Sequence, residues 1–160
     1  MRFGDQARVF RLIPGLEQAE FLRFGQMHRN TYINSPAILR QTMQTKAESR
    51  VFFAGQISGV EGYAESIATG LIAGRNAARL AQGEPPQVFP RETALGSLTH
   101  YITHADARNF QPANITFDLL PALDEATKRR LRHDKKARHA GVCRRAMEAM
   151  DEFLSVPVGA

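Results

Sequence analysis

Three glycines, Gly55, Gly59 and Gly62, stand between a short apolar run, Val51 to Ala54, and a stretch rich in small residues that starts at Tyr63. Glycine tolerates positive φ and lets the backbone approach a ligand closely. A helix starting there would aim its unpaired N–H groups and positive dipole end into the crevice. That chemistry suits an anionic cofactor or an electron-rich ring. The spacing is not G-x-G-x-x-G, so it is not by itself a dinucleotide fingerprint. A second group is the polar run Met27, His28, Arg29 and Asn30, which offers a switchable imidazole, a planar guanidinium and an amide that both donates and accepts. It reads either as a ligand-facing strand or as a solvated edge strand. His100 and His104, four apart, would share a helical face, but no third metal ligand stands nearby in the sequence, and no metal is expected. His139 and Cys143 repeat that spacing among cations that would lower a thiol pKa, and the cysteine is read as incidental.

The elements that must position these groups read as strands first. Arg8 to Phe10, Phe21 to Phe24, Ile38 to Gln44 and Val51 to Ala54 look extended. From about Tyr63 to Gln82, Ile67, Leu71, Gly74 and Ala78 recur at helical spacing. Gly70, Ala73, Gly74, Ala77 and Ala78 give this helix a thin side for packing on a sheet, and Gly83 with Pro85-Pro86 stops it. Thr93 to Thr103 reads as a second helix and Asn109 to Pro112 as a loop.

Composition changes beyond Ala122. Lys128, Arg129, Arg130, Arg132, Lys135, Lys136 and Arg138 crowd together, and Asp134 is the only acid between Lys128 and Arg145. Such a run either contacts polyanion phosphates or forms a solvated helix. The 160 residues carry a formal charge of +5 and a single cysteine, which excludes an intramolecular disulfide framework. No apolar run has the length of a membrane span, and the N-terminus lacks a signal peptide's apolar stretch, so a cytoplasmic location is expected.

Several long motifs occur in order: Phe10–Glu17 (FRLIPGLE), Met27–Pro36 (MHRNTYINSP), Ala54–Ser66, Phe89–Gly96 (FPRETALG) and Asn109–Asn114 (NFQPAN). Together they resemble the TrmFO family, the folate- and FAD-dependent tRNA (uracil-5-)-methyltransferases. The resemblance implies an α/β fold, the C-terminal part of a GidA-like FAD/NAD(P)-binding (Rossmann-type) domain over 1–121, with a basic helical tail over 122–160. It implies FAD contact by Gly55, Gln56, Ile57, Gly59, Val60, Glu61, Gly62 and Tyr63, with Tyr63 beside the flavin. It further implies folate or flavin contact by Met27, His28, Arg29 and Asn30, and tRNA contact by the basic tail. The family transfers a methylene group from 5,10-methylenetetrahydrofolate to a T-loop uridine through reduced FAD, with NAD(P)H as electron source. The family's N-terminal G-x-G-x-x-G half and its nucleophilic cysteine have no counterpart in this sequence. The expectation is therefore a C-terminal portion with no catalytic nucleophile of its own. The competing readings are a GidA-type flavoprotein that modifies the wobble uridine, and a non-catalytic tRNA-binding fragment.

Overall fold

A computed structural model describes residues 2–25 and 30–155, which fall in two compact units, Met1–Asn30 and Thr31–Ala160. In the first, helix α1 (Phe3–Phe10) carries phenylalanines that meet Phe21 and Phe24, with ring centroids 5.8–5.9 Å apart. Gln6 is buried and its amide pairs both ways with the backbone of Gly25, at 3.0 and 3.2 Å. The extended reading of Arg8 to Phe10 is thus overturned, because these residues form the last turn of α1.

The second unit contains α2 (Ser35–Ile38), a 3₁₀ turn (Gly55–Ser58), α3 (Tyr63–Ala81), α4 (Ala94–His104), α5 (Glu125–Arg130) and α6 (Lys135–Ser155). Its core is built from Leu39, Met43, Val60, Ile72, Leu98, Ile102, Phe89 and Phe110.

The expected α/β Rossmann-type architecture is contradicted. Among the described residues there is no strand and no sheet, only the isolated bridges Leu39↔Thr45, Gln44↔Phe52 and Val60↔Ala113. The extended segments bend back on themselves before a ladder can grow. Arg40 N–H donates to Gln44 across a tight turn (2.8 Å) in which Met43 takes a positive φ of 69°. Other backbone groups of these segments are bound by side chains instead. Thr69 accepts from Gly55 N–H (2.9 Å), and Asn76 donates to the Thr42 carbonyl (3.1 Å).

Helix α3 matches the expected span but not the expected face. Alanines favour it, and Gly83 (φ 78°) ends it before Pro85 and Pro86. The side turned inward carries Thr69, Ile72, Ala73 and Asn76. Ile67, Leu71, Gly74 and Ala78 lie on the opposite side, in solvent. The reason is hydrogen bonding: Asn76, almost fully buried, donates to Thr42 and Gln87 carbonyls and accepts from Gln87 N–H (2.8 Å). A buried amide with its groups paired ties two loops to the helix, which an aliphatic residue cannot do.

Helix α4 is capped by Thr93, whose hydroxyl accepts from Gly96 N–H at 3.0 Å. A Cβ on Gly96 would overlap the Pro90 carbonyl, so glycine sets how closely α4 lies on the Phe89–Pro90 backbone.

Candidate functional site

The glycine turn is held from several sides. Gly55 N–H goes to Thr69, the Ser58 hydroxyl donates to the Gly55 carbonyl (2.7 Å), and the Ser58 carbonyl accepts from the buried Ser35 hydroxyl (2.8 Å). Ile33 N–H donates to Ile57, Glu61 N–H to Ala113, and Ala113 N–H to Gly59. Much of the backbone expected to greet a ligand is therefore bonded within the chain.

The eight residues of the turn divide accordingly. Gly59 (φ 86°) and Val60 are buried, Gly59 beneath the Phe110 ring and Val60 in the core. Gln56, Ile57, Glu61 and Tyr63 are exposed, Tyr63 to 87%, while Gly55 and Gly62 are half-buried. Gly62 brings no side chain to cap α3, whose first N–H groups have no acceptor inside the helix. Glu65 folds back toward Gly62 and accepts from Ile115 N–H at 3.3 Å, fixing the helix start to the 113–116 segment. A rim of Gly55, Gln56, Ile57, Gly62 and Tyr63 around an uncapped helix start is thus the part open to a ligand.

Of the expected folate group, Met27, His28 and Arg29 lie outside the described residues, and Asn30 is exposed. The basic tail is a helical pair. Asp124 caps α5 through Thr127 N–H (2.9 Å), a bond that also lowers the Asp124 pKa, and Asp134 accepts from Ala137 N–H at the start of α6. Lys128 pairs with Glu125 at 2.6 Å, whereas Arg129, Arg130, Arg132, Lys135, Lys136 and Arg138 form no ion pair among the described residues. Lys135 and Lys136 open α6, adding two cations to the positive end of a helix dipole. The far end of α6 is anchored by Phe153, 4.7 Å from Phe89 and beneath the Arg75 guanidinium. Arg145 donates to the Pro121 and Ala122 carbonyls.

His139 stacks on Phe117 at 3.8 Å, and Cys143 is exposed. His100 and His104 stack nearly parallel, 4.3 Å apart, in a pocket with Arg91 that sequence reading did not assemble. The i, i+4 spacing signalled the two rings, but nothing in the sequence signalled that Arg91 would join them. No helix among the described residues is long and apolar enough to cross a membrane.

The chain belongs to the GidA family, whose model, glucose inhibited division protein A, matches residues 1–85. Within that family its resemblance is to methylenetetrahydrofolate–tRNA-(uracil-5-)-methyltransferases TrmFO. It is 65% identical to that of Solibacter usitatus over 96% of this chain and 61% identical to that of Koribacter versatilis over 97%. The protein of that name from Enterococcus faecalis is 54% identical over 96%. The chain spans about a third of the length of these curated relatives, 34–35%. A solved structure of Aquifex aeolicus GidA in its form II crystal is 31% identical over 61% of this chain and 16% of its own, with a TM-score of 0.43, an overlap too slight to argue from.

Proposed function

We propose that these residues serve a flavin- and folate-dependent tRNA (uracil-5-)-methyltransferase and form part of its cofactor wall and RNA contact. The observation that carries the reading is the open rim at the start of α3, set within a chain 65% identical to a TrmFO. A flavin fits this rim on its own geometry: uncapped N–H groups favour an electron-rich edge, and the exposed Tyr63 ring offers a stacking face. It does not fit against the Gly59 and Val60 side of the turn, which Phe110 and the core occupy. When bound, FAD and 5,10-methylenetetrahydrofolate supply the one-carbon unit and its electrons, with NAD(P)H as the reductant. Gly55, Gln56, Ile57 and Tyr63 hold and shield the ring, while Met27, His28, Arg29 and Asn30 are assigned to folate from the family resemblance. The unpaired cations of the α5–α6 pair contact tRNA phosphates, which positions the RNA without reading its sequence.

The test uses the native polypeptide that contains these residues. Tyr63→Ala is expected to lower bound flavin and methyl transfer to unmodified tRNA by about tenfold, a change of about 1.4 kcal/mol. Flavin content and transfer equal to wild type would remove the rim from the cofactor site. Lys135→Glu with Lys136→Glu is expected to weaken tRNA binding at low salt by more than about tenfold and to flatten its salt dependence. Binding indifferent to both would remove the tail from the RNA contact.

A further inference from the structure

A pocket of about 180 Å³ opens beside α4, lined by Arg91, His100, Tyr101, His104, Asp118 and Leu119. Its guanidinium wall is fixed before any ligand arrives. One Arg91 Nη donates to both the Ser97 hydroxyl and the Leu119 carbonyl, and the Ser97 hydroxyl donates back to the Arg91 carbonyl (2.7 Å). The Tyr101 hydroxyl is spent on the Gln111 carbonyl (3.0 Å).

The tautomer of His104 follows from its neighbours. Its Nδ1 lies 2.9 Å from the Thr103 hydroxyl and 3.1 Å from the His100 carbonyl. The Thr103 hydroxyl donates to the Thr99 carbonyl at 2.6 Å, so it meets Nδ1 as an acceptor. Nδ1 therefore carries the hydrogen, and Nε2 has none in the neutral ring.

One carboxylate shares the lining. Asp118 sits exposed in the lining and forms no ion pair with Arg91, His100 or His104; the nearby Asp106 pairs with Arg108 at 3.7 Å. Burial pushes the His100 pKa down, and the positive charges of Arg91 and His104 push it further. Two stackable imidazoles and a guanidinium, none of them ion-paired with the Asp118 carboxylate, fit a tetrahedral oxyanion.

We propose that the Arg91–His100–His104 pocket binds a phosphate group, free or carried by an RNA backbone. An anion seated there would favour protonated imidazoles, so binding takes up protons and strengthens as pH falls. This site is lined by the described residues of this chain and does not depend on the proposed enzymatic function.

The experiment is a titration of the histidine-labelled chain with sulfate, whose charge is constant between pH 5.5 and 8, read from the imidazole resonances. Saturable shifts of His100 and His104 are expected, with binding about tenfold tighter at pH 5.5 than at pH 8. His104→Asn, at an exposed position, should reduce that pH dependence, and Arg91→Lys should weaken binding while keeping the fold. A short single-stranded RNA that competes with sulfate for the same resonances identifies the phosphate as backbone phosphate. If sulfate and inorganic phosphate shift the rings but RNA does not compete, the ligand is a free phosphate group. The proposal is overturned if neither probe moves the rings, or if the shifts are the same in both variants.

Discussion

Gly59, expected beside a ligand, also serves packing. Its φ of 86° and the Phe110 ring above it both exclude a side chain. Gly59→Ala combines left-handed strain with overpacking and is expected to cost about 2–4 kcal/mol. The check is urea unfolding of that variant alone and together with Phe110→Leu, which should recover part of the loss. Equal losses in both would place the whole cost in the backbone. A glycine replacement here reports on folding, whereas the proposed ligand contact is tested at Tyr63. At the same scale, the pKa of His100 gives stability a pH dependence. Its folded pKa is lowered, so the unfolded chain binds more protons, and stability is full above the ordinary imidazole pKa and declines as pH falls through the folded value. Replacing His100 by Asn should remove that acid-side decline in melting temperature, and a decline that persists unchanged would assign it to other groups.

Among the elements, α6 divides into an anchored half and a free half. Phe153 against Phe89 and Arg145 on the Pro121–Ala122 carbonyls hold the C-terminal half, while Lys135, Lys136 and Arg138 stand clear at the start. Phe153 is half-buried, so Phe153→Ala should cost about 1–2 kcal/mol, less than a full core aromatic. Amide exchange should then quicken along α6 while α4 keeps its protection. Exchange that quickens equally in both helices would mean that they open as one unit. The basic run was legible from charge counting alone, but the anchoring was not, because an aromatic among Glu152 and Leu154 reads equally as solvated or packed.

For the whole chain, the notable surface is the outward side of α3. Tyr63, Ile67 and Leu71 are 87%, 76% and 65% exposed, and Gly70 and Gly74 beside them face open space. A continuous apolar stripe of this kind favours association. Light scattering of the isolated chain should rise with concentration, and Ile67→Lys with Leu71→Lys should suppress that rise. Association unaffected by the pair would put the adhesive surface elsewhere. The described residues hold no sheet, so this exposed apolar surface is helical.

By itself the sequence determined the span of α3 and α4, the loop between Asn109 and Pro112, the basic run, and the family resemblance. Those features rest on local rules: helix formers bounded by glycine and proline, a threonine cap, a charge count and ordered motifs. Only the tertiary structure decided which way α3 turns, because buried Thr69 and Asn76 find partners in loops distant along the chain and outweigh the apolar periodicity of the other face. It also decided that the apolar runs before Gly55 bridge rather than build a sheet, since a strand needs a neighbour that no single segment specifies. Arg91 reaching His100 and His104 belongs to the same class, for it depends on Ser97 and Leu119 holding the guanidinium in place.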